Sequence, residues 1–234
     1  MTDLDAARPV SSPDTGSPDI GGPVAPHAEP GTDTGGVGAA AANPALLGVP
    51  TFVIGSVALG LYLIGFKGAD HAIAALLPVL IFCNGLGLIG ATAWAARVGQ
   101  GPVASIFGIF AAFWITFPTL VLGLAHGWWG IAATDIAAAT DAEAVFLLVW
   151  FIGIVMLTIA TLRLPAAFTL LFVLVDAALA VVYFGIVNGS TGLLLVGGIL
   201  VFAFAAVGIY LFVDAMATAT GARPLPMGRP VIGR

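Results

Sequence analysis

From Asn43 onward the chain alternates long apolar runs with short polar or Gly/Pro-bearing breaks. A helix needs about 20 apolar residues to cross roughly 30 Å of hydrocarbon. Six runs reach that length, over residues 45–66, 71–96, 103–124, 143–162, 165–187 and 192–214. They are continuously apolar and lack the period-two alternation of barrel strands, so they predict transmembrane helices. The expected fold is all-α: a polytopic bundle of six transmembrane helices over 43–220, followed by a short tail over 221–234. Residues 1–42 follow another pattern, with six prolines, seven glycines and no Phe, Trp or Tyr. Such a segment buries too little apolar surface to offset chain entropy, and it reads as a disordered tail. It has no basic start followed by an apolar run, so it does not read as a cleavable signal peptide.

Composition agrees with the pattern. The 234 residues are 60% hydrophobic and 8% charged, against about 25% charged in an ordinary soluble domain. That excludes a soluble enzyme, a nucleic-acid binder and a disulfide-stapled secreted module. Cys83 is the single cysteine and has no partner for an intramolecular bridge. The net charge of −5 is carried entirely by the tail, where six acids outnumber Arg8. From Asn43 onward six acids balance six bases. With the N-terminus inside, Arg8, Arg97, Arg163, Arg223, Arg229 and Arg234 fall on the cytoplasmic side and only Lys67 outside, as the positive-inside rule prefers. Both termini are then cytoplasmic, and the external 125–142 segment holds His126, Trp128 and Trp129 as an interfacial aromatic belt.

Few polar groups fall within the spans. Asp176 lies near the middle of the fifth. An intramembrane carboxyl normally faces protein or a water-filled cavity and is read first as functional. It is either a proton-binding or solute-contacting group, or a neutral acid hydrogen-bonded to another helix. Asn84 and Thr116 line a pore or bond between helices, and Asp214 ends the last span as an interfacial, solvated acid. His71 and His126 flank spans without the Cys, His and carboxylate company of a metal site. No phosphate-binding glycine loop, nucleophile elbow or zinc spacing occurs, so neither an enzyme nor a cofactor is expected. Gly85, Gly87, Gly90 and Ala91 in the second span, and Gly197, Gly198 and Ala205 in the sixth, let helices approach closely. Asn43-Pro44 starts a helix: Asn caps well and Pro suits the first turn. The same start, with free N–H groups and a positive dipole end, suits an anionic solute.

Asn43-Pro44-Ala45-Leu46-Leu47-Gly48 resembles the Asn-Pro-Ala-Pro-Leu-Gly signature of the acetate uptake transporter family, the succinate–acetate permeases. Phe110-Ala111-Ala112-Phe113-Trp114 resembles that family's Tyr-Gly-Ser/Ala-Phe-Trp stretch. Gly208-Ile209-Tyr210-Leu211 resembles part of its last helix, and Gly221 with Pro224 to Gly228 its tail. The resemblance spans 43–229 and implies a homo-hexamer in the lipid bilayer of the plasma membrane. It implies a pore in each protomer for acetate and related small monocarboxylates, often with a proton. The family's constriction of Phe, Tyr and Leu falls on Phe52, Phe110 and Val175, and a substrate-size position on Gly208. Asn43, Pro44, Asn84 and Gly208 are the candidate substrate contacts and Asp176 the candidate proton-coupling group. The chain departs from the family at Leu46, which replaces a proline, and at Leu88 and Ala95, which replace a glutamine and a glutamate. Ala215 stands where the family has glutamate, with Asp214 adjacent, and Asp176 is outside the family pattern. The expected function is proton-linked transport of acetate or a similar monocarboxylate. Two alternatives stand beside it: a channel for a neutral solute such as urea or a short amide, and a membrane scaffold whose tail recruits a partner.

Overall fold

The structure is a computed structural model that describes residues 43–67 and 69–233, with side chains throughout except at 69–72. The acidic tail expected over 1–42 lies outside the described residues, as does the His71 side chain. Every regular element among the described residues is a helix: α1 (Ala45–Leu63), α2 (Ala69–Pro78), a π-helical segment (Val79–Gly85), α3 (Leu86–Arg97), α4 (Gly101–His126), α5 (Ile136–Thr161), α6 (Ala166–Val187) and α7 (Thr191–Ala219). Six helical stretches are long and apolar enough to cross a membrane, with α2, the π segment and α3 supplying one of them between Ile73 and Arg97.

Local chemistry sets where the helices start and widen. The Asn43 side-chain carbonyl accepts from the Ala45 N–H at 3.1 Å, and Pro44 enters at φ −61°. The pair therefore opens α1 as its residue types suggest. Pro78 ends α2 without an N–H to donate, and the following turn widens into the π segment, a device often found where a helix must admit a bulky or functional neighbour. Asp135 caps α5 by accepting from the Ala138 N–H at 3.1 Å. That moves the start of the fourth span from the expected 143 back to Ile136, because an Asp cap and the alanines after it outweigh the polar Thr140 and Asp141 in the first turns. The last helix likewise runs to Ala219, which leaves Asp214 inside α7 rather than at its end.

Helix α1 packs against α7 on one side and against α3 and the π segment on the other, while α6 bridges α7 and α5. Aromatic side chains fill the space where α4 faces α5: Phe113 stacks on Phe117 at 5.8 Å and meets Trp150 edge-on at 5.3 Å. Glycines allow the closest approaches. A Cβ on Gly198 would press on Leu63 and Ile64 of the α1 end, and one on Gly55 would overlap the Asn84 carboxamide. Asn84 and Gly55 are thus a fitted pair, the amide filling the space that the missing side chain leaves.

The segment after α7 folds back over one end of the bundle. The Leu225 N–H donates to Asp214 Oδ1 at 2.7 Å, the Tyr210 hydroxyl to the Pro226 carbonyl at 2.7 Å, and the Ala167 N–H to the Met227 carbonyl at 3.0 Å. The expected tail is therefore a strap tied to α7 and to the start of α6. Asp214, expected to be solvated, holds it.

Substituting Gly55→Ala forces Asn84 to move in a packed interior and should cost about 1–3 kcal/mol. Gly153→Ala, where a Cβ meets nothing within 4 Å, should be neutral or stabilising by up to about 1 kcal/mol. Thermal unfolding of both variants in detergent checks this, and an equal Tm for the two would overturn the fitted-pair account.

Candidate functional site

Two of the cavities among the described residues share walls. The first, about 100 Å3, reaches from Tyr62, Val121 and Glu143 down to Phe52, Phe110 and Val175. The second, about 330 Å3, opens between Asn43, Gln100, Phe168, Asp214 and Met227, and it also ends on Phe52 and Phe110. These two rings are therefore walls of both cavities. They meet edge-on with centroids 4.9 Å apart at an interplanar angle of 60°. Phe204 lies 5.7 Å behind Phe52, Phe172 lies 5.6 Å behind Phe110, and the Trp114 ring approaches Phe52 at 6.3 Å. Phe52, Phe110 and Val175 are all buried, so the partition is an apolar plug built from α1, α4 and α6.

Gly208 on α7 makes the partition possible from behind. A Cβ there would press on Val53 Cγ2 and sit 3.9 Å from Phe52 Cδ1. Gly208 lines neither cavity itself. Asn43 lines the second cavity beside the start of α1, while Pro44 is buried under it.

Asn84 also lines neither cavity. Its amide is fully buried and finds no hydrogen-bond partner among the described residues, as is true of Trp114 Nε1. Asp176 lies beside Thr158 of α5, whose hydroxyl donates to Asp176 Oδ2 at 2.6 Å. Its Oδ1 is buried without a partner, and neither cavity reaches it. Of the expected site residues, the structure gathers Phe52, Phe110 and Val175 with Gly208 behind them and Asn43 at one mouth. It sets Asn84 and Asp176 into helix–helix contacts.

Glu143 was not singled out by the sequence reading, yet it is the charged residue that lines the first cavity. The signal was available: Glu143 follows the Asp135 cap by two helical turns, on the face that carries Phe146 and Leu147 into the bundle. Gln100 and Met227 at the second mouth were missed because hydropathy says nothing of which loop residues fold inward. No Lys, Arg or His lines either cavity among the described residues. No three His, Cys, Asp or Glu side chains gather there in a way that could hold a metal.

Apolar helices enclosing two cavities that meet at one hydrophobic plug define a multi-pass membrane protein of the transporter or channel class. Residues 28–223 match the profile of the GPR1/FUN34/yaaH family, and the chain belongs to it. This is the acetate uptake transporter family, whose members are transporters and channels rather than enzymes. Among solved structures, that of the bacterial acetate channel SatP shares the fold, with a TM-score of 0.69 at 22% identity, covering 80% of this chain and 98% of that one. No curated protein matches the chain.

The Thr158–Asp176 bond joins α5 to α6 within the spanning segments. Thr158→Val leaves both carboxyl oxygens without a donor and should cost about 1–3 kcal/mol. Asp176→Asn keeps an acceptor for the hydroxyl and should cost less. Thermal melts of the two variants and their double mutant test this, and the effects should be non-additive.

Proposed function

We propose that the protein moves acetate and related small monocarboxylates across the plasma membrane, linked to protons, along a path within each protomer that joins the two cavities. The supporting observation is that both cavities end on the same pair of rings, Phe52 and Phe110, from opposite sides. With Val175 beside them they form the constriction of this path. A plug of this kind strips hydration, and an apolar passage penalises an ionised carboxylate far more than an uncharged acid. The shared fold with a bacterial acetate channel supports the choice of solute.

In this reading Asn43 and the first turn of α1 meet the carboxylate at the second cavity, where the positive end of the helix dipole favours negative charge. Gly208 sets the room behind Phe52, and Asn84, at the end of the π segment, packs against Gly55 of α1. Asp176, engaged with Thr158, is a packing group rather than the coupling site. Both termini face the cytoplasm, with six of the seven Lys and Arg residues on that side, and the protomers form a homo-hexamer. A neutral-solute channel is the second reading, favoured by the lack of cationic side chains along either cavity among the described residues.

Flux into proteoliposomes of labelled acetate, succinate, lactate and urea at two pH values decides between them. Acetate uptake that rises at the lower pH is expected. Urea flux without acetate uptake would replace the first reading by the second. Phe52→Ala, which joins the two cavities, should raise lactate flux about tenfold relative to acetate, the usual weight of a size change in an apolar passage. Asp176→Asn should leave the pH dependence of uptake as it is.

A further inference from the structure

The first cavity has a feature that the transport reading does not use. Among the described residues Glu143 is the one charged side chain on its wall, beside Phe, Leu, Val, Ile and Ala residues with Tyr62 and Trp114 as the other polar groups. Glu143 and Ile154 both line it and lie eleven positions apart on α5, about 16 Å along the helix axis. Glu143 therefore stands at the mouth and the plug at the floor. The space is about 100 Å3, room for about three water molecules at their liquid volume, so a small solute passes within reach of the carboxyl.

We infer that Glu143 is a specificity-determining residue that selects the chemical form of the solute at this mouth. The cavity admits the undissociated carboxylic acid, or an uncharged isostere such as a short primary amide, whose O–H or N–H donates to the Glu143 carboxylate. It turns away the carboxylate anion, since two like charges in a largely apolar cavity repel and no cation among the described residues lines it to offset them. Tyr62 of α1 is the other titratable group on the wall, and α4, α6 and α7 contribute only uncharged residues. Asp141, two positions earlier on α5, is exposed and adds no counter-charge. An O–H donating to a carboxylate is also the stronger kind of hydrogen bond, so the preference combines attraction for the acid with repulsion of its anion.

This inference rests on the transport reading, and the test separates the two. Full-length protein in proteoliposomes is supplied with labelled acetate across a pH series, with and without an imposed membrane potential, and in parallel with labelled acetamide. In the unaltered protein, acetate flux should fall about tenfold per pH unit above the acid's own pKa, as its neutral fraction does, and should ignore the potential. In Glu143→Gln, acetate flux at neutral pH should rise about tenfold or more as the like charge at the mouth is removed, so its fall with pH becomes shallower. Acetamide flux should change by less than about twofold, because the amide carries no charge to reject. Glu143→Asp should behave as the unaltered protein. Potential-driven acetate flux in the unaltered protein overturns the inference but leaves transport standing. A Glu143→Gln variant with an unchanged pH profile, or one that loses acetamide flux as well, overturns it too. The absence of any acetate or acetamide flux removes the transport reading and the inference together.

Discussion

Phe52 meets Phe110 edge-on between the two cavities, and that contact depends on how closely the surrounding helices pack. An aromatic pair is worth only about 0.5–1.5 kcal/mol beyond its buried area, too little to hold a passage shut alone. The position of the rings is set instead by helix packing. Gly208 lets α7 lie against Phe52 and Val53, and Gly198 lets the same helix touch the end of α1. Gly55 lets Asn84 brace α1 from the opposite side. Phe204 and Phe172 then back the two rings. The glycines that look like generic packing residues in the sequence thus fix where the plug sits.

Much of this was legible from residue pattern. The membrane-spanning runs, the helix start at Asn43-Pro44 and the family all follow from residues in order. What the pattern missed has a common cause: hydropathy reports how deep a residue lies and not which way it faces. Glu143 and Asp176 are both acids within apolar helices, yet one lines a cavity while the other bonds a neighbouring helix. The start of α5 was misplaced because Asp135 is a polar residue acting as a cap. The π segment after Pro78 is invisible to a period of 3.6, since it changes the period itself.

Four acids lie within the spanning helices among the described residues, at 141, 143, 176 and 214; Asp141 is exposed near the start of α5, and the protein treats the other three differently. Asp214 accepts a backbone N–H from the strap at 2.7 Å, and Asp176 accepts a threonine hydroxyl at 2.6 Å. Both bonds organise protein against protein. Glu143 instead faces the space a solute would occupy.

Magnitudes decide what that difference means for an anion. At about 5 Å and an effective dielectric near 20, a carboxylate meeting ionised Glu143 is repelled by about 3 kcal/mol. The helix start at Asn43 offers an anion roughly 0.3–1 kcal/mol, rising to about 2 where it is partly buried. Repulsion at the first mouth therefore exceeds attraction at the second, and the apolar plug between them adds a further penalty for charge. In the proposed path this balance would let an anion gather beside α1 but give it no favourable way past Glu143 while both groups are ionised. Removing one charge lifts the conflict, and for a small carboxylate taking up a proton is the simplest means.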